Sequence, residues 1–159
     1  MQKGFCYISG KKYYFGPSDG LMKTGWQKVG RYYYYLGSAD DGSVKTGWQN
    51  IGGSWYYFQI NGVMSYGMVD VGSSVYYFGS SNDGAMKTGW QVIYDLYYYF
   101  GGANDGAMKT GWQQIGGAWY CFDSTGYMYS GRQSISGKNY YLGSASDGSM
   151  KTGWQKVDN

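Results

Sequence analysis

The sequence predicts an all-β chain made of stacked β-hairpin repeats, about seven hairpins and a truncated one, and three observations predict it. First, Lys-Thr-Gly-Trp-Gln occurs at Lys23, Lys45, Lys87, Lys109 and Lys151, the first four copies each followed by a run of aromatic residues. With Trp26, Trp48, Trp90, Trp112 and Trp154 as markers and Met68 and Arg132 as degenerate copies, the intervals are 22, 20, 22, 22, 20 and 22 residues. A unit of that length spans one hairpin and must stack on its neighbours to bury an apolar face. Second, the 159 residues hold 29 Gly, 21 Tyr and 7 Trp but 1 Pro, with 21% aromatic against 14% charged, so rings carry the apolar bulk. Third, no long stretch shows the 3.6-residue apolar spacing of a helix, and no apolar run approaches the roughly 18 residues of a membrane span.

With each marker at position zero, +3 is Ile or Val in every unit, from Ile8 and Val29 to Ile135. Position +8 is always Tyr, and +10 is Phe or Leu. These three positions are expected to form a buried seam. Between the strands, pairs such as Gly52-Gly53 and Gly116-Gly117 supply the positive φ of a two-residue primed turn. Tyr94-Asp95 breaks that rule, and a different turn is expected there. A two-residue turn pairs +3 with +6, +2 with +7, +1 with +8 and 0 with +9, so 0, +2, +7 and +9 share one face. That face varies between units and suggests a task beyond folding; the uniform face reads as stacking core.

The long links carry Asp-Gly at Asp19, Asp41, Asp83, Asp105 and Asp147, whereas the short ones use Asn61-Gly62 and Thr125-Gly126, which accounts for the alternation of 22 and 20. These acids are read as turn residues rather than calcium ligands. Four residues before each marker stands Met, or Val44, expected to fill the gap between stacked hairpins. The repeated Lys is read as a solvated face, with contact to polymer phosphates as the sharper alternative. The net charge of +3 is spread along the array, which argues against nucleic acid as a partner. There is no His and no Glu, so no acid and base pair or nucleophile triad arises, and the chain is expected to be noncatalytic without a metal or cofactor. Cys6 and Cys121 occupy non-equivalent positions and define no pairing.

The pattern Thr-Gly-Trp-Gln, a turn, Trp-Tyr-Tyr-Phe, then Asn-Gly-Val-Met or Asp-Gly-Ala-Met resembles the cell-wall-binding, or choline-binding, repeats of Gram-positive surface proteins and lytic enzymes. The resemblance covers residues 1–159 as a single repeat array, expected to be a fragment of a longer, secreted protein of the bacterial cell surface. It implies a β-solenoid wound into a left-handed superhelix, with choline or phosphocholine of teichoic acid held in aromatic cages between successive hairpins. Carried onto this chain, one cage comprises Trp48, Trp55 and Tyr77 with Met64, and another Trp112, Trp119 and Tyr141 with Met128. Further cages combine Trp26, Tyr33 and Tyr57, and Trp90 with Tyr97, whose third wall would fall on Cys121. The Met68 and Arg132 units are expected to donate only Tyr77 and Tyr141. The alternative is a carbohydrate-binding module for glucan or host glycan that uses the same rings as stacking platforms. Uncapped terminal repeats leave free strand edges, so a homodimer through them is expected.

Overall fold

The computed structural model describes residues 2–102 and 104–155. Among them, fourteen strands pair as seven antiparallel hairpins and none is helical. The hairpins are β1 (Gly4–Ile8) with β2 (Lys11–Phe15), β3 (Gly25–Val29) with β4 (Tyr32–Leu36), and β5 (Gly47–Ile51) with β6 (Ser54–Phe58). They continue with β7 (Met68–Val71) and β8 (Ser74–Tyr77), β9 (Gly89–Ile93) and β10 (Leu96–Phe100), β11 (Gly111–Ile115) and β12 (Ala118–Phe122), and β13 (Gly131–Ile135) and β14 (Lys138–Leu142). The hairpin expected around Trp154 falls in part on residues 156–159, outside the described residues.

The register is the one that a two-residue turn dictates, with Trp48 opposite Tyr57, Asn50 opposite Trp55 and Ile51 opposite Ser54. Gly52 and Gly53 take φ of 60° and 84°. The fifth hairpin does not have a different turn. Ile93 still pairs with Leu96, and Tyr94 and Asp95 themselves adopt φ of 53° and 64°. Strand pairing on both sides imposes the left-handed conformation on side chains that rarely take it.

Two features explain the repeated Thr-Gly-Trp-Gln. The Gly before each marker has positive φ, for example 68° at Gly47 and 65° at Gly111. The Gln side chain then reaches back across that bend: Nε2 of Gln27, Gln49, Gln91 and Gln113 donates to the carbonyl of Thr24, Thr46, Thr88 and Thr110 at 2.8 to 3.0 Å.

The chain divides into two compact units, Met1–Val69 with Phe78–Met86, and Asp70–Tyr77 with Lys87–Asn159. Inside each, hairpins are tied to the link that follows the next hairpin. In the first unit the amide of Val44 donates to the Lys12 carbonyl, Met64 to Tyr33 and Met86 to Trp55, at 2.7 to 2.8 Å. In the second, Met108 donates to Val75, Met128 to Tyr97 and Met150 to Trp119, at 2.7 to 2.9 Å. From Val44 onward the residue at −4 thus bonds the +7 carbonyl two hairpins back. The side chain at −4 lies over the turn glycine of the following link. A Cβ on Gly42, Gly84, Gly126 or Gly148 would run into Met22, Met64, Met108 or Met128, and one on Gly62 into Val44.

The buried seam is narrower than expected. Position +10 is sealed from the second hairpin on, with Leu36, Phe58, Phe78, Phe100, Phe122 and Leu142 no more than 2% exposed and Phe15 half-buried. The +8 tyrosines are half-buried apart from buried Tyr34, and Ile8 at +3 is 50% exposed. Register supplies the reason: +10 closes the open end of the hairpin beside the links, whereas +3 abuts the turn at the far tip.

The repeated Lys is an intramolecular clip. Lys23, Lys45, Lys109 and Lys151 pair with Asp19, Asp41, Asp105 and Asp147 of their own links. Hydrogen bonding from these ammonium groups holds all four carboxyls below the usual range, with Ser43 and Lys11 adding to the effect at Asp41.

Two predictions follow from these links. Gly117 and Gly126 have φ of 87° and 82°, but only Gly126 faces a side chain. Gly117→Ala is expected to cost about 1 kcal/mol of backbone strain and Gly126→Ala clearly more, up to ~3 kcal/mol, in urea denaturation. Because the carboxyl pKa values are depressed on folding, the clips stabilise above the unfolded value near ~4 and lose that contribution as pH falls through the folded values. The urea midpoint should be level from about pH 5 to 7 and drop only under acid. Lys109→Met should lessen that drop.

Candidate functional site

Successive hairpins stack head to tail in aromatic terms. The variable face of one meets the uniform face of the next, placing Trp26 5.7 Å from Phe58, Trp48 5.5 Å from Phe78 and Trp90 5.8 Å from Phe122, centroid to centroid. Each marker ring is held from two sides. Within its own hairpin it leans edge-on against +9, as Trp26 does on Tyr35 and Trp90 on Tyr99, both at 5.2 Å and 65°. From the following hairpin the approaching ring is +8. Trp26 meets Tyr56 and Trp90 meets Tyr120, both at 4.9 Å and 68°, and Trp112 meets Tyr140 at 4.8 Å.

The rings expected as third walls at +9 lie elsewhere. Tyr57 packs on Trp48 at 5.4 Å and stacks on Phe78. Tyr77 stacks on Phe100 at 5.9 Å. Tyr141 pairs in register with Arg132. Side chains at +8 and +9 leave opposite sides of a strand, so only one of them can face the preceding hairpin, and it is the +8 tyrosine.

Around Trp90 these contacts leave an open cleft of 290 Å³, lined by Trp90, Tyr97, Tyr120 and Met128, with Val92 at one edge and Ser146 and Asp147 at another. Trp90 is 38% exposed, whereas Met128 at the base is buried. Met128, expected beside Trp112 and Trp119, reaches this cleft because its amide is bonded to the Tyr97 carbonyl. Cys121 is buried in register with Trp112 and contributes no wall. The first unit repeats the arrangement 64 residues earlier. Trp26, Tyr33 and Tyr56 stand in for Trp90, Tyr97 and Tyr120, and Met64 is tied to Tyr33 as Met128 is to Tyr97. Asn82, which corresponds to Ser146, accepts the Tyr33 hydroxyl at 3.5 Å. In the other hairpin type, Trp48 stands perpendicular to Trp55 at 6.2 Å, and Trp119 is 41% exposed on the hairpin of Trp112.

The first hairpin is built differently. Phe5 occupies the marker position and meets Tyr34 at 4.8 Å, as the other markers meet +8. At +7, where Tyr33, Trp55, Tyr97 and Trp119 place rings, stands Lys12. Its ammonium lies 4.4 Å from the Phe5 centroid and 5.7 Å from that of Tyr34, and it donates to the Asn61 carbonyl at 2.8 Å. Burial lowers its pKa from the ordinary lysine value.

Family models describe the same pattern: a choline-binding repeat matches residues 45–88 and 109–154, and a putative cell wall binding repeat matches 3–22. Among solved structures, CbpJ of Streptococcus pneumoniae shares 33% identity over 94% of this chain and 52% of its own, with a TM-score of 0.87. Choline binding protein F of the same organism shares 35% over the same shares of both chains, at 0.85. The phage Cp-1 endolysin complexed with choline shares 29% over 80% of this chain and 37% of its own, at 0.55. The chain therefore spans about half the length of the pneumococcal structures that it resembles. A search of curated protein sequences finds no match. Seven hairpins, head-to-tail ring stacking and the matching repeat models together make this chain a member of the choline-binding repeat family.

Proposed function

We propose that this array anchors a larger, secreted parent protein to the cell wall by holding the choline of teichoic acid in its inter-hairpin clefts, and that any chemistry of the parent lies in a separate domain. The observation that carries the reading is Lys12. Where a ring is missing at +7, the chain's own ammonium sits against Phe5 and Tyr34, in a joint of the same construction as the open clefts. Ring faces arranged in this way accept a cation. A trimethylated nitrogen donates no ordinary hydrogen bond, so ring faces and a polarizable thioether are the groups that can select it. The similar Cp-1 endolysin was solved with choline, which fits this assignment.

The binding residues in this reading are Trp90, Tyr97, Tyr120 and Met128, with Trp26, Tyr33, Tyr56 and Met64 as their counterpart. Trp112, Trp119 and Tyr140 form a third group. Each ring contributes roughly 0.5 to 2 kcal/mol, so one cage of three rings gives dissociation constants near the millimolar range. Several cages on one chain facing a choline-bearing polymer raise avidity by roughly 10² to 10⁴.

Choline titration followed by tryptophan fluorescence tests this. Trp90→Ala should remove one class of site, and Tyr140→Ala should weaken the Trp112 site about 2- to 30-fold while Tyr141→Ala has little effect. The reverse order would return the third wall to +9, and an absent choline response would end the proposal. Lys12→Tyr should add one choline equivalent in calorimetry by replacing the internal cation with a ring; unchanged stoichiometry would deny that the first joint is a cage occupied by the chain itself.

A further inference from the structure

A second kind of cleft, of 590 Å³, lies in the first unit; it shares Met64 with the open choline-type groups and Tyr34 with the joint that Lys12 fills. The fourth hairpin creates it. Where five units read Lys-Thr-Gly-Trp-Gln, this one reads Ser65-Tyr66-Gly67-Met68-Val69, which removes the lysine clip, the marker indole and the glutamine brace together. Tyr66 stands 56% exposed at one side and Tyr32, 40% exposed, at another; buried Tyr34 and Ser65 and exposed Gln59 and Asn61 line the remainder.

Ser65 is 2% exposed, and its hydroxyl is the one buried side-chain polar atom among the described residues without a hydrogen-bond partner. Native structures rarely leave such a group unmet. A rotation about χ1 that turns Oγ toward the cleft sacrifices no existing hydrogen bond. The surrounding charges exclude a quaternary ammonium. The Lys12 ammonium lies 5.7 Å from the Tyr34 ring and bonds the Asn61 carbonyl, and the Arg31 guanidinium sits 5.1 Å over the Tyr32 ring and donates to its hydroxyl at 2.8 Å. Methyl groups also leave the Ser65 hydroxyl and the carboxamide N–H groups of Gln59 and Asn61 unanswered, the Asn61 Oδ1 being taken by the Val63 amide at 2.9 Å. Phenol rings beside carboxamides and a free hydroxyl match a pyranose, whose apolar face stacks while its hydroxyls exchange hydrogen bonds.

We propose that this cleft is a saccharide subsite that binds a hexopyranose unit of a glycan strand, separate from the choline cages. The test is a ¹H–¹⁵N correlation titration of the whole chain with triacetylchitotriose and with maltotriose, and with choline chloride as a separate arm. Saturable shifts at the Asn61, Ser65 and Tyr66 amides with either sugar, unmoved by choline, are the expected result. Tyr66→Ala, at an exposed position, should abolish them while the Trp90 fluorescence response to choline persists. Ser65→Ala should weaken sugar binding by about 3- to 10-fold without lowering the melting temperature, since it removes an unsatisfied group. No sugar-induced shift up to the solubility limit, choline moving the same amides, or sugar shifts surviving Tyr66→Ala would each overturn the proposal. Because choline is a separate arm, failure here leaves the cage reading intact, and failure of the cages leaves this one standing.

Discussion

The hydrogen bond from the −4 amide to the +7 carbonyl two hairpins back is the constraint on which the site depends. A single hairpin of this size has no interior and is marginal in water. The tie gives each hairpin a fixed neighbour and brings the −4 side chain over the turn glycine of the next link. Only glycine meets both demands at that turn, a positive φ and no Cβ in the path of the thioether. The same bond delivers Met128 to the cleft of Trp90 and Tyr97. Backbone geometry that closes the stack and side-chain geometry that lines the site are therefore one event.

The 64-residue spacing that relates Trp26 to Trp90, Trp48 to Trp112 and Met68 to Arg132 divides the hairpins into three kinds. Two keep rings at both 0 and +7. The third has Phe5 with Lys12, Met68 with Val75, and Arg132 with Asn139, and it makes no open three-ring joint. In the first of these the lysine occupies the rings; at Met68 the departure reaches the preceding link and opens the polar cleft beside Ser65. Freed from one demand, a repeat keeps its backbone ties and its +10 anchor while the rest of its surface changes. Leu142 remains fully buried beside Arg132, just as Phe100 does beside Trp90.

What lies within a hairpin was legible in the sequence. Period-two alternation and paired glycines set the register of Trp48 against Tyr57, because strand pairing is decided by residues eleven or fewer apart. The turn at Tyr94-Asp95 departs from its expected form for the complementary reason: flanking strands override the preference of two residues. What lies between hairpins was hidden. Nothing local indicates which face meets the next repeat, so from the sequence +8, constant in every unit, reads as core alone, and +9 as the third wall. Constancy had two causes at once, since Tyr56 and Tyr120 both pack on the stack and face the preceding indole. The methionine was displaced by one cage for a similar reason, because its tie skips a hairpin.

Half-exposure of the marker indoles is the last part of this logic. A buried Trp offers no face to a ligand, and a freely exposed one must be ordered when it binds, which subtracts from a weak interaction. Trp26 and Trp90, 39% and 38% exposed, lie between these extremes, clamped edge-on at 5.2 Å by their own hairpin and at 4.9 Å by the next. Their ring planes are set by contacts that exist before any ligand arrives. For a cage whose gain per ring is near 1 kcal/mol, loss of even one side chain's rotational freedom on binding, about 0.5 to 1.5 kcal/mol, would erase it. In the proposed cages, edge-to-face packing on two sides is thus the means by which weak binding would retain enough net affinity for repetition to amplify.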